Sequence, residues 1–524
     1  MQHEHSPPKV EATSPPRYPP TVRPRCLLAL LLLFLAAASC GPPRAALTVA
    51  NGPDLDTLDP QLARSSAAQR ASRALFAGLT RLNTQDLGLL PDLALSWTAE
   101  DEGRLWRFEL RPGLRWSDGQ ALTAQDVVAS WQRLQDPATA APYASWVAGA
   151  KFAAPSPTEV QILFPEPQPL FPLLCSHPAL APVPPALRDS VLGTLPNPLP
   201  SSGPFQLLER RLRDRLRLLR NPHYWRADQV PSESLDLLTI DSDITALNLF
   251  LTEGVAFAPK TPDLALPRLV EQQDARLHQS AELGTVFLRF QQRDAPFDDF
   301  DLRRALLLGT DRNALATLVG HGRPAAAGFV PRSMPAWTGP AWPSAELTQA
   351  RAALERVRQR HQGALPRIEL LYPSTAGNRL LVEALAALWK QDLGLEVRLM
   401  NVEARTFYPA QSALEYQVSL SSWVADYPHA LSFLDIFRSH DANNRSGFAD
   451  AGYDELLALA ASTLDEQERQ HALQRAEEIL RDQAVLLPLL EQRRQELVSP
   501  RLGGWHDNAL GIIDWAALEW REAP

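Results

Sequence analysis

The sequence predicts an α/β protein with more than one hydrophobic core. Three observations carry this. The chain has 524 residues, 45% hydrophobic and 21% charged, a globular composition at a length beyond the ~250–300 residues where single cores stop growing. Residues 367–402 spell a strand, a helix and a strand in succession, "RIELLYP", "GNRLLVEALAALWKQDLG" and "LEVRLMNV", and a βαβ unit implies a parallel sheet. The first 40 residues are unlike all that follows, so the globular part begins near Ala46.

The N-terminus reads as an export signal over residues 1–39. A polar stretch with seven prolines ends at Arg23 and Arg25, and "LLALLLLFLAAASC" follows. Its apolar run, 27–38, has secretory length and falls short of the ~20 residues of a transmembrane helix. Small residues then lead to Cys40, the expected site of lipid attachment. Ala37 stands where a lipoprotein signal usually has leucine, which leaves ordinary cleavage open. The "HEH" at 3–5 falls in the discarded part, and the length of the polar stretch leaves room for a start downstream of Met1. Once the signal is removed only Cys40 and Cys175 remain, so a lipidated Cys40 leaves no internal disulfide. Cys175 reads as a small buried hydrophobe.

From Ala46 the elements follow in order. "ALTVAN" (46–51) is a strand, and "SAAQRASRALFAGL" (66–79) a helix with Ala68, Ala71, Leu75 and Leu79 on one face. "RLWRFELRPG" (104–113) is a strand ending in a turn. "TAQDVVASWQRL" (123–134) is a helix capped by Thr123 and Asp126, with Val127 and Trp131 on its buried side. The proline-rich 164–187 cannot be one regular element and is expected to wrap a surface. "ERRLRDRLRLLR" (209–220) reads as a strand with an arginine-rich solvated face. After the βαβ unit come helices at 452–464 and 465–484 and a strand-like pattern at 510–520.

Several functions are disfavoured. A net charge of -9 over this length does not supply the basic footprint of a nucleic-acid binder. There is no G-x-S-x-G elbow, H-E-x-x-H zinc pair, P-loop or G-x-G-x-x-G fingerprint. The eleven histidines are scattered. Neither catalysis, a metal site nor a cofactor is expected.

One stretch raises a question of its own. "WVADYPHA" (423–430) places Asp426 after the strand-like "YQVSLSSWVAD", sharing parity with Tyr416, Val418 and Leu420. On a straight strand the acid would face the apolar side, where an unpaired ion is too costly to keep. It must reach solvent at a bend, find donors inside the protein, or await a positive group from outside.

Longer words now matter. "LDTLDPQ" (55–61), "LFAGLTRLN" (75–83), "LLPDLALSWTAEDEGRLWRFELRPGLRWSDGQALTAQDVVASWQRLQDPATAAPYAS" (89–145), "RNPHYW" (220–225), "APFDDFDLRRAL" (295–306) and "WVADYPHALSFLDIF" (423–437) resemble the bacterial extracytoplasmic solute-binding proteins of family 5, the receptors of ABC importers. Within that family they look most like oligopeptide-binding proteins of the OppA type. Inside these words Asp118 and Gly119 suit a tight turn, with Trp116 as an apolar anchor.

The resemblance implies a two-lobed periplasmic binding protein fold (type II, cluster C-like) with an extra subdomain in lobe one. Lobe one would comprise 45–280 and 497–524, with 77–198 inserted, and lobe two 281–496. It implies a monomeric peptide receptor in the periplasm or cell envelope, delivering its ligand to a permease and ATPase. A receptor for a modified peptide, opine-like compound or metal chelate, or a sensory or chaperone-like module without a permease, are the alternatives. By the same resemblance Asp426 meets the ligand's α-amino group, and the strand through Ser422, Trp423 and Val424 pairs with its backbone. Asn443 and Asn444 add polar contacts, Arg64 stands where an acid can occur near the ligand, and Ser66 is a backbone-pairing neighbour. Leu420 replaces a basic residue that can hold the peptide carboxylate, and Ala256 replaces a frequent aspartate, so the carboxylate end is expected to be altered.

Overall fold

The computed structural model describes residues 46–521. The export signal and Cys40 lie outside the described residues. Two large hydrophobic clusters divide the molecule into two lobes. One gathers Val49, Leu75, Phe108, Trp131, Phe205, Leu237 and Trp515. The other gathers Phe287, Leu306, Leu370, Trp389, Phe433 and Leu487.

In lobe one the Leu47–Gly52 strand lies parallel to Ser234–Thr239, followed in antiparallel order by Arg215–Arg220 and Phe205–Arg211. The chain between Leu47–Gly52 and Phe205–Arg211 builds a second, antiparallel sheet from Ala94–Glu100, Leu105–Leu110, Glu159–Leu163 and Lys151–Ser156. Against it packs the Ala124–Gln135 helix, whose N-cap Thr123 donates its N–H to Asp126 Oδ2 at 2.9 Å. Val127 and Trp131 are fully buried, the latter edge-on to Phe108 and Phe171. This inserted sheet shares one continuous core with lobe one. Gly119 takes a φ of +86° in the turn that Trp116 anchors, the left-handed conformation for which glycine is the favoured residue.

Lobe two is a six-stranded mixed sheet. Its order is Phe257–Ala258, Leu486–Val498, Leu277–Phe290, Val418–Val424, Ile368–Pro373 and Val397–Val402. The parallel pair expected from the βαβ unit is present, and the connecting helix Ala376–Leu393 stops at Gly394, left-handed at φ +66°. The helices Ala451–Ser462 and Glu466–Asp482 are each capped by an aspartate, Asp450 and Asp465.

The lobes are joined through two neighbouring long strands, Leu277–Phe290 and Leu486–Val498. Their Leu277 and Leu497 ends pack with Ala50, Phe250 and Ala258 in a small third cluster, and their other ends enter the core of lobe two. Between Ala281↔Arg493 and Thr285↔Glu491 the register slips, leaving a bulge through Glu282, Leu283 and Gly284.

Four local expectations are corrected. The proline-rich 164–187 does not wrap a surface: Phe171, Cys175 and 178–183 are buried, arranged as short turns. Each proline brings no N–H to satisfy, which makes an irregular segment cheaper to bury. Residues 209–220 form a hairpin turning at 212–214 rather than one strand, and Arg215 and Arg217 both pair with the buried Asp236. Residues 510–520 form turns that insert Ile513, Trp515 and Leu518 individually into the core, and only Glu519–Trp520 is extended in a sheet. The first helix spans Ser66–Leu75, ending before Leu79, because Phe76 turns extended.

Candidate functional site

The Val418–Val424 strand is flanked on one side along its whole length by Leu277–Phe290, which pairs with every residue from Val418 to Val424. On the other side Ile368–Pro373 pairs only with Val418 and Ser419. From 420 to 424 that edge has no strand partner among the described residues. Such an edge offers unpaired N–H and C=O groups, a template for adding a strand. Along the strand 418–421 are buried, and from 422 it emerges, with Ser422 and Val424 exposed.

Beyond Val424 the chain bends, and the bulge in the long strand holds the bend. Ala425 N–H donates to Leu283 O at 2.8 Å, Asp426 N–H donates to Ser432 Oγ at 2.9 Å, and the Trp423 indole donates to Ser432 O at 2.8 Å. Asp426 therefore leaves the apolar face it would occupy on a straight strand. The Tyr143 hydroxyl, from the inserted part of lobe one, donates to Asp426 Oδ1 at 3.0 Å. No ion pair reaches this carboxylate within the described residues. Burial pushes its pKa up to about 6, opposed by the bond from Tyr143. Around it stand Trp146, His177 and Tyr427. Tyr143 packs at a tilt against Trp146 and His177, with ring centroids 4.5 and 4.6 Å away, and Trp146 meets Tyr427 edge-on at 5.9 Å. Tyr427 is buried in the core of lobe one, so the loop from lobe two is seated against its opposite number.

Two cavities meet at Trp423 and Asn443. One, of about 770 Å³, is lined by Asp426, Asp435, Asp441 and Glu166 as well as Tyr143, Trp146, Arg438 and His440. Its one arginine is committed, since Arg438 pairs with Asp435 at 2.7 Å. The other, of about 760 Å³, is lined by Arg64, Arg289, Arg323 and Arg445, with Asp56 as its one acid, and by Leu420, Ser421 and Ser422 of the half-open strand. Both volumes fall in the ~300–1,000 Å³ range of small-molecule sites. An acidic cavity and a basic one, linked by a strand edge, suit an elongated ligand with a positive head and negative charge further along.

The family of bacterial extracellular solute-binding proteins, family 5 (Middle), matches residues 88–445. The chain belongs to this family. A family 5 solute-binding protein is an extracytoplasmic receptor of an ABC transport system and not an enzyme. Among the described residues no group of His, Cys, Asp and Glu could hold a metal ion.

This family 5 protein is 28% identical over 485 residues to the periplasmic oligopeptide-binding protein OppA of Escherichia coli K12, covering 87% of this chain and 88% of that one. It superposes on Haemophilus influenzae OppA in complex with RPPGFSPFR with a TM-score of 0.79 at 25% identity, over 91% of this chain and 99% of the other. The Escherichia coli murein tripeptide binding protein MppA gives 0.81 at 26% identity, over 91% and 98% of the chains. Its unliganded open form gives 0.71 at 28% identity, over 87% and 93%. The lower score against the open form accords with the contacts across the cleft at Tyr143 and Tyr427.

The residues singled out in the sequence separate in space. Asp426, Trp423, Ser422, Asn443 and Arg64 line one or both cavities of this solute-binding protein. Val424 ends the half-open edge, with its side chain partly exposed. Ser66 lines neither cavity. It begins a helix, and Ser65 faces the basic cavity instead, its hydroxyl donating to Asp56 Oδ1 at 2.7 Å. Asn444 is occupied elsewhere, donating to the carbonyls of Phe437, Arg438 and Phe448. Ala256 is buried in backbone bonds with Thr48 and Ser499.

Tyr143, Arg289, Arg323 and Arg445 were missed, whereas Arg64 was singled out in the sequence and lines the basic cavity. Tyr143 sits in "APYAS", one of the words that carried the resemblance. Arg289 interrupts the apolar run "VFLRF", a charge in a buried strand that poses the same question as Asp426. Leu420 is buried and carries no charge, yet the basic cavity it lines draws four arginines from other elements.

Proposed function

We propose that this protein binds peptides between its lobes and presents them to a membrane permease driven by an ATPase. The observation that carries this is the strand edge 420–424, which among the described residues is unpaired on one side and ends at a carboxylate with no cation beside it. Backbone pairing along the edge reads amide groups, which every peptide has. The ammonium of the N-terminal residue gives Asp426 its missing charge, in a charge-assisted bond worth ~1.5–3 kcal/mol. Tyr143, already bonded to Asp426, holds that carboxylate in place from the opposite lobe. Trp423, Asn443 and Arg64 contact the ligand along its length, and Ser422 and Val424 supply the edge. Ser66, exposed at its helix start, contributes at most from outside the cavities. The oligopeptide and murein peptide binders to which the chain is similar support the same ligand class.

The lobes are proposed to divide as 45–280 with 497–524 against 281–496, with 77–198 as the insert. The two clusters and the long crossing strands support that division. The mature chain is proposed to be a monomer that starts at a lipidated Cys40 and is held at the membrane by that lipid. No helix among the described residues is long and apolar enough to cross a membrane. A Cys40→Ala variant that still carries lipid would contradict the anchor.

The test of function is mass spectrometry of material released on denaturing freshly purified protein, followed by calorimetric titration of what is found. Peptides recovered in stoichiometric amount are the expected result. Recovery of an amine-free solute that saturates the protein would overturn the reading.

A further inference from the structure

The basic cavity is over-supplied with cations for one peptide carboxylate. Arg64, Arg289, Arg323 and Arg445 converge on it from four separate parts of the chain. None of the four forms an ion pair with a carboxylate among the described residues. Many other arginines among the described residues do, as with Arg217 and Asp236 or Arg133 and Asp59. Asp56, the one acid in the cavity, spends its oxygens on the Arg64 backbone N–H at 3.1 Å and the Ser65 hydroxyl at 2.7 Å.

Two of the arginines, Arg289 and Arg445, are not fully satisfied by neutral groups either. Arg289 is only 5% exposed. Its Nη1 donates to Asn443 O at 2.6 Å, while its buried Nε has no partner. Arg445 reaches Gln411 Oε1 only at 3.5 Å, and its Nε is likewise buried and unpartnered. Arg323 donates to backbone carbonyls at Gly320 and Val319. Three of these side chains also repel one another. Burial, opposed by Tyr416 and helped by Arg445, lowers the pKa of Arg289 to about 10; burial, opposed by Tyr408 and Tyr416 and helped by Arg64, lowers that of Arg445. Holding like charges together around a partly desolvated cavity is unfavourable unless something anionic joins them.

We propose that the ligand is an acidic peptide, with at least one Asp or Glu side chain besides its terminal carboxylate, received by Arg64, Arg289, Arg323 and Arg445. This rests on the peptide reading above and sharpens it. A single C-terminus neutralises one guanidinium and leaves the others facing each other. A second carboxylate turns that repulsion into a bidentate pairing, for which the planar guanidinium is suited. The acidic lining around Asp426, at the other end of the strand edge, sets the direction: amine toward Asp426, carboxylates toward the arginines.

The test uses matched tri-, tetra- and pentapeptides of alanine whose last two positions are Glu, Gln or Lys, titrated calorimetrically into the full mature protein. The Glu peptides should bind at least about tenfold more tightly than the Gln peptides at one or more lengths, with the Lys peptides weakest. The gap should narrow as salt rises, because screening weakens the charge term. Arg445→Gln and Arg64→Gln, on half-buried and exposed side chains, should each narrow it as well, with melting curves confirming that the variants fold. Equal affinity for Glu and Gln peptides at every length would overturn the acidic preference while leaving peptide binding intact. An unchanged gap in both variants would remove these arginines from the role. Failure of every peptide to bind would instead overturn the peptide reading itself.

Discussion

Tyr143 Oη donates to Asp426 Oδ1 at 3.0 Å, a bond that crosses from the turns before the Lys151–Ser156 strand of lobe one to the loop that ends the half-open strand of lobe two. It places a neutral donor against a buried carboxylate, beside the position proposed for the ligand ammonium. If Asp426 reads the ligand's amine as proposed, the bond couples closure of the cleft to the ionisation of that carboxylate.

The coupling has a pH signature. With a pKa raised to about 6 by burial, Asp426 is protonated in the ligand-free protein below that pH. An ammonium favours the ionised form, so peptide affinity should be full above about pH 6 and fall as pH drops through it. Tyr143→Phe removes the donor that holds the pKa down, and the fall should begin at higher pH. The Asp426→Asn variant should show no such fall. Calorimetric titrations from pH 5 to 8 measure all three.

Glu477 supplies a stability prediction. It is fully buried, accepting from the backbone N–H groups of Phe329 at 2.7 Å and Val330 at 3.2 Å and from the Trp342 indole at 3.0 Å. Burial raises its pKa to about 7, well above the ~4.3 of an exposed glutamate. The folded state thus binds the proton more tightly, and this group's contribution to stability is lost as pH rises from about 4.5 through 7. Glu477→Gln should flatten that trend in urea unfolding. Glu477→Ala leaves three buried donors unpaired, at ~1–3 kcal/mol each, and should destabilise the fold by about 3 kcal/mol or more.

If the ligand adds a strand to the 420–424 edge, its amides should matter with a period of two. N-methylating successive amides of one bound peptide should weaken binding at alternate positions, each by ~0.5–1.5 kcal/mol, and leave the intervening ones nearly unchanged. A uniform response would argue against strand pairing.

Closure should be visible in stability. A peptide at about 100 times its Kd should stabilise the protein by ~2.7 kcal/mol, and its melting temperature should rise with peptide concentration. Small-angle scattering with and without peptide reports the lobes directly: a compact form should grow with saturation.

Much of the fold was legible because local patterns agreed with it. The βαβ unit at 367–402, the capped helix after Thr123 and the left-handed Gly394 were readable as such. The failures fall where burial is not periodic. Residues 164–187 and 510–520 contribute side chains to the core one at a time from turns, so neither a helical nor a strand period marks them. The site was half legible. Asp426 stood out because a lone acid in an apolar stretch demands a reason, whereas Tyr143 and Arg445 are ordinary residues that matter only because the chain brings them beside Asp426 and Arg289. Leu420 was read as the loss of a cation because sequence shows what one position lacks, not what Arg445 supplies from another loop.

The central claim, that Asp426 receives the ligand's amine, is tested most directly by a double cycle. A bound peptide and its N-acetylated form are titrated against wild type and Asp426→Asn. The variant keeps the shape but offers a neutral amide, so it should bind the free peptide ~1.5–3 kcal/mol more weakly, about 10- to 200-fold in Kd. Acetylation should weaken binding to wild type by a similar amount and to the variant by much less, because both changes remove the same interaction and cannot add independently. Equal losses on acetylation in the two proteins would contradict the claim and leave Asp426 as a partner of Tyr143 alone.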